Sequence, residues 1–254
     1  MINFRTGLFL FFALVFICSC TRDDGQDGHV IPNAVKDVDG NKYDAVRIGN
    51  QVWMKSNLRT THFRDGSPIS QGGGYENDEE TPFYYKPTTL QVPTYDEKTY
   101  GLYYNEKAVV DERGLCPEGW HVPSGAEWTK LEEYVGSKSE YIYEGKPSNI
   151  AKALASNMGW EESNIPGSPG HEQEKNNATG FTAIPAGIGA DWLDNYFEWN
   201  NYATIFWASN TWMVTTNYGY SFKCNSVILI YEDTNLDHDY YGGDDVLSVR
   251  CVRY

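Results

Sequence analysis

LCPEGWHVPSGAEWTKLEEYVG (115–136) holds one cysteine, one histidine, two prolines and two tryptophans directly ahead of a helical pattern. Ser124 and Glu127 stand three residues apart, the capping-box spacing at which each side chain bonds the other's backbone N–H. Trp128, Leu131, Tyr134 and Val135 then recur at helical spacing, and Gly136 is the expected stop. This is the best-marked helix of the chain, so what precedes it decides whether Cys116 and His121 form a reactive pair or a frame. A thiol nucleophile needs a base within hydrogen-bonding reach. The two are five positions apart, across Pro117 and Gly119, and nothing local brings them side by side. The stretch is expected to be scaffold.

Upstream, DVDGNKYDAVRIGNQVWMKSNL (37–58) alternates between apolar and polar residues, broken by Asp39-Gly40 and Gly49-Asn50. Both are hairpin turn pairs, so a three-stranded meander is expected. Asp37, Asp39 and Asn41 have the spacing that starts a calcium loop, but Lys42 and Ile48 stand where that loop needs glycine and glutamate. The segment 65–99 is rich in Gly, Pro and Tyr and reads as a long functional loop. Its Gly72 to Gly74 run lacks the lysine and following helix of a phosphate loop. YGLYYNEKAVV (100–110) reads as strand and NIAKALAS (149–156) as a second short helix. From residue 157 onward loops and short β segments are expected, ending in the strand VLSVRCVRY (246–254).

The chain of 254 residues opens with Arg5 and the apolar run 8–17, too short to span a bilayer and suited to a secretory signal. ICSC (17–20) resembles a bacterial lipobox, which makes Cys20 the acylated first residue of the mature protein. Residues 1–19 are thus the expected signal peptide, 20–34 a flexible polar tether and 35–254 one domain. Asp23 and Asp24 resemble the surface-export signal of lipoproteins in the Bacteroidetes group, implying an outer-membrane lipoprotein facing the cell exterior. The membrane is then a partner through the lipid alone. The formal net charge is −15 and no basic patch occurs, which excludes nucleic acid as a partner held by a positive field.

Beyond Cys18 and Cys20, three cysteines are left, so an exported chain should hold one bridge and one odd thiol. Cys224 lies in the apolar YSFKCNSVILI (220–230) and reads as a small buried hydrophobe. His62, His121, His171 and His238 form no paired zinc spacing, and no nucleophile elbow occurs. No cofactor is expected, with one reservation. YEDTNLDHDYYGGDD (231–245) brings Asp237, Asp239, Asp244 and Asp245 around two glycines, a carboxylate set of the type that calcium takes.

The blocks at 115–136 and 37–58, together with NNATGFTAIPAG (176–187) and SVRCVRY (248–254), resemble the Fibrobacter succinogenes major paralogous domain. That resemblance implies an α+β, C-type-lectin-like fold: two helices packed on small irregular antiparallel sheets with long loops, similar also to formylglycine-generating enzyme. It implies a surface or secreted protein. Cys116 and Cys251 fall in the two blocks most like the family's motifs and are paired on that ground. The two close reactive cysteines of formylglycine-generating enzyme have no counterpart, since Cys224 and Cys251 are 27 positions apart. The lectin motifs EPN, QPD and WND are absent. The expected function is therefore a lipid-anchored binding or adhesion module without catalysis, its ligand a glycan or a surface protein. Tyr84, Trp192 and Trp199 are the expected ligand-binding rings, drawn from two aromatic loops, while Trp207 is expected in the core. The alternatives are a hydrolase using carboxylates such as Asp191, Asp194 and Glu198, or a structural subunit of a surface appendage.

Overall fold

The computed structural model describes residues 27–72, 81–88, 92, 95–190, 196–216, 219–243 and 245–254. The meander forms as expected: β1 (Val30–Lys36), β2 (Lys42–Ile48) and β3 (Gln51–Met54) run antiparallel. Tyr43, Ala45, Val46 and Ile48 are buried, and Asp44 is exposed. Asp37 closes the first turn by accepting from the Asn41 backbone and side chain and from the Tyr43 hydroxyl, the last at 2.6 Å. Within the expected tether over 20–34, residues from Val30 onward belong to β1, because Val30 and Ile31 pair with Val46 and Ala45. Asp27 further accepts from Gly49 N and the Tyr134 hydroxyl. Polarity alone did not separate an edge strand from a linker there.

The next segment holds β4 (Ser70–Gln71) and β5 (Phe83–Tyr85), then a one-turn helix α1 (Glu97–Tyr100) and β6 (Tyr103–Tyr104). NEKAVV does not extend that strand. Asn105 accepts from Ala108 N at 3.1 Å and caps α2 (Glu106–Val110). The helix α3 (Gly125–Gly136) carries both halves of the capping box. Gly136 is its last residue and not its stop: Ser137 follows in a right-handed conformation, and a Cβ on Gly136 would lie 2.4 Å from Pro147 O. The second expected helix contracts to the single turn α4 (Ala151–Leu154).

The expected short β segments after residue 157 are in part long. β7 (Ala186–Ala190) and β8 (Tyr196–Asn200) lead into β9 (Ala203–Thr216) and β10 (Gly219–Ile230). β11 (Asp237–Tyr241), β12 (Asp245–Ser248) and β13 (Val252–Arg253) close the chain. The strands form a small sheet in the order β1-β2-β3-β13 and a large one in the order β11-β10-β9-β7-β12-β6-β5-β4, with β8 on β7. α3 lies against the large sheet: Trp128 stacks on Phe206 and meets Trp53 of the small sheet. Trp207 is fully buried, its indole N–H donating to Tyr104 O. Among the described residues the protein is thus mainly sheet with four short to medium helices, an α+β fold.

Candidate functional site

Cys116 is bonded to Cys251, so the cysteine ahead of α3 is a staple between that helix and the last strand. His121 serves the cap. Its Nε2 lies 2.6 Å from Glu127 Oε1, while Glu127 Oε2 accepts from Ser124 N and Oγ, each at 2.8 Å. Burial alone would raise the Glu127 carboxyl, but the bonds from Ser124 and His121 outweigh it and hold the group below its ordinary range. Ser124 bonds the carboxylate rather than the imidazole, so the three residues do not form a nucleophilic triad. Cys224 is buried, and burial with the nearby Glu106 pushes its thiol up to about 12, which keeps it protonated at neutral pH.

The acidic stretch near the C-terminus does not converge where it is described. Asp237 and Asp239 are exposed on β11, with His238 between them reaching Glu132 of α3 at 3.1 Å. Asp245 accepts from Gly242 N at 3.1 Å, and burial pushes its carboxyl upward. Asp244 lies outside the described residues. Among the described residues no three His, Cys, Asp or Glu side chains come together as a metal site.

A cleft of about 220 Å³ opens beside the disulfide, lined in part by Thr60, His62 and Arg64. Several of its polar groups are engaged by the scaffold. Arg64 donates to Cys116 O and Trp120 O, and Asp39 accepts from Thr60, Thr61 and His62.

The aromatic candidates part company. Tyr84 is half-buried on β5, with its hydroxyl 3.3 Å from Gln71 Oε1 and its ring on the core. β6, β12 and β7 stand between β5 and β8 in the strand order, so Tyr84 and Trp199 lie on strands that do not pair with each other. Trp192 lies outside the described residues, as do Asp191 and Asp194, while Glu198 is half-buried on β8. Trp199 is 45% exposed and Tyr202 46% exposed, at the two ends of a turn closed by Tyr202 N donating to Trp199 O. The turn is held under backbone strain. Trp199 sits at φ +58° and Asn201 at φ +72°, a region that bulky residues seldom enter. Opposite them is Gly187, where a Cβ would lie 2.3 Å from Glu198 O, so only glycine permits this close crossing.

The turn has neighbours that are remote in sequence. Tyr231 N donates to Tyr202 O, and the two rings meet edge to face at 5.3 Å. Glu161 N donates to Asn201 O, and Asn201 N donates to Pro185 O. Pro185 also packs on Gly159, next to the exposed Met158. Trp160, buried and bonded through its indole N–H to Ser156, pins that loop in place. The Tyr231 hydroxyl is raised by its bond to Glu232. Around this turn Trp199, Tyr202 and Met158 are exposed and Tyr231 is half-buried, with Glu161 and Glu232 also exposed on the segments that meet it. Sequence reading missed Met158, Tyr231 and Glu161. They lie up to 73 positions apart, and no local pattern joins them.

Comparison with curated proteins and with solved structures returns no match. The capped helix, the Cys116–Cys251 staple and the closing strand all lie within residues 46–253, which match the family described as Fibrobacter succinogenes major domain, and the chain belongs to that family.

Proposed function

We propose that this chain is a lipid-anchored module of the outer cell surface that binds glycan through the aromatic surface at Trp199 and Tyr202. The observation that carries the reading is the strained turn. Two large rings are held in solvent at a conformational cost of order 1–3 kcal/mol, which a surface turn without a ligand has no need to bear. Exposed Trp and Tyr faces stack on the apolar faces of sugar rings, and Glu161 and Glu232 supply acceptors for hydroxyls. The C-type-lectin-like arrangement is part of this proposal, supported by the small sheet that joins β1 to β13 and by α3 packed between the sheets. The anchor rests on the lipobox at Cys20, and among the described residues no helix is long and apolar enough to cross a membrane.

A glycan array probed with wild type, Trp199→Ala and Tyr202→Ala, with and without calcium, tests the site. Wild type should bind a defined subset, and each substitution should weaken that binding at least tenfold. Retention of binding by both variants would remove this surface from consideration. Binding of surface protein instead of any glycan would redirect the reading, and hydrolysis of the bound glycan would replace it with the carboxylate mechanism. Cys20→Ser should move the protein out of the membrane fraction.

A further inference from the structure

β9 and β10 continue well past the sheet that contains them. Among the described residues β11 pairs with β10 from Cys224 to Ile228, and β7 and β12 pair with β9 at Thr204 and Phe206. Beyond these points the two strands pair with each other, 211–216 against 219–224. Among the described residues no further strand covers either outer edge of that ribbon. At its base Ala208 and Cys224 are buried, whereas Asn210 and Thr211 are exposed.

The base of the ribbon is built. Ala208, Ser209 and Asn210 stand opposite the single residue Asn225, a bulge of the type that bends a strand away from its sheet. The start of α3 clamps this bulge. Ser209 N donates to Pro123 O at 2.9 Å, and Gly125 N donates to Asn210 Oδ1 at 2.5 Å.

Its chemistry is unlike the rest of the chain. Between Glu198 and Lys223 no residue carries a charge, although charged residues make up 22% of the protein. Natural edge strands are guarded by Lys, Pro or short length, and 211–216 (TWMVTT) has none of these guards. Two copies of a chain with net charge −15 repel each other over most of their surface, and least where charge is absent. An edge strand paired antiparallel with the same strand of another copy forms a closed two-fold contact.

We propose that the β9–β10 ribbon is a self-association arm, in which residues 211–216 of β9 pair edge to edge with the same residues of a second copy. The arm lies at the end of β9 remote from Trp199. At the ordinary strand rise Ala203 and Val214 would be at most about 36 Å apart, and the bulge between them turns the arm away from the sheet, so association leaves the aromatic surface free. The arm stands or falls independently of the glycan reading.

Sedimentation equilibrium of the full chain in detergent should show a monomer–dimer equilibrium. Thr211→Lys with Thr215→Lys should shift it to monomer while the melting temperature of the chain is kept. A second measurement does not depend on that variant folding. In single-cysteine variants at each position from 211 to 216, mild oxidation should link copies through one position near the two-fold axis and not through its neighbours. Cys224 is a free thiol opposite Thr211 in the ribbon, so it is replaced by alanine throughout this series. A wild type that is monomeric at every concentration reached would overturn the proposal. So would a dimer unchanged by the two lysines, or cross-linking without preference for position.

Discussion

Arg250 is fully buried, and the hydrogen bonds of its guanidinium go to neutral acceptors: Asn57 Oδ1, Met54 O, Phe181 O and Thr182 O. Its plane lies over the Phe181 and Phe206 rings, with Cζ 4.7 and 5.3 Å from their centroids. Burial pushes its pKa down to about 9, still high enough to keep the charge at neutral pH. One side chain thus ties the end of β3 to the 181–182 loop and to the C-terminal segment. Arg250→Leu preserves much of the volume but orphans several buried acceptors, at about 1–3 kcal/mol each. The expected loss is about 3 kcal/mol or more in urea denaturation, and a loss below about 1 kcal/mol would show that water takes over the bonds. The sequence displays this arginine only as one polar residue in a closing strand. Its role exists because three distant segments aim their acceptors at one point.

α3 shows how an element can be legible while its boundary is not. The capping box is local, so Ser124 and Glu127 announce the start without help from the fold. The glycine at the end has a tertiary cause, the Pro147 carbonyl, which the sequence places eleven residues away. Gly→Ala inside a helix ordinarily stabilises by about 1 kcal/mol. Gly136→Ala should do the reverse and lower stability by about 1–3 kcal/mol, because the new methyl meets backbone. A higher melting temperature for this variant would show that the 147 loop gives way. The contact between α3 and β11 is pH-dependent. The bond from Glu132 raises the pKa of His238 above its ordinary 6.5, so the pair's contribution is complete below that value and fades as pH rises through the raised pKa. Glu132→Gln should therefore lower the melting temperature at about pH 6 and make little difference near about pH 9. An equal deficit at both values would assign the effect to packing.

Over the whole molecule the Cys116–Cys251 bridge closes a separation of 135 residues, joining the approach to α3 to the strand that pairs with β3. In the chain-entropy account such a loop limits the unfolded state by about 5 kcal/mol, an upper figure. Cys116→Ala should lose a large part of this under oxidising conditions and match reduced wild type in urea midpoint. If reductant leaves the wild-type midpoint unmoved, the staple contributes nothing. The bridge also places both ends of the domain in one sheet, with β1 and β13 at its two edges. That leaves the loops and the ribbon to extend from the other parts of the fold.

By itself the sequence determined what is encoded within a few neighbouring residues. The Asp39-Gly40 and Gly49-Asn50 turns and the cap of α3 follow from local backbone chemistry and periodicity. The Asn105 cap of α2 was equally local but lay hidden in a run of tyrosines that reads as strand. Tertiary structure alone decided which rings stay in solvent. Trp53, Trp128 and Trp207 are buried while Trp199 is exposed, and composition cannot distinguish them. The difference lies in Gly187 and the Glu161 loop, which hold the β8–β9 turn that carries Trp199. Exposure depends on what packs against a residue, and those partners lie tens of positions away along the chain.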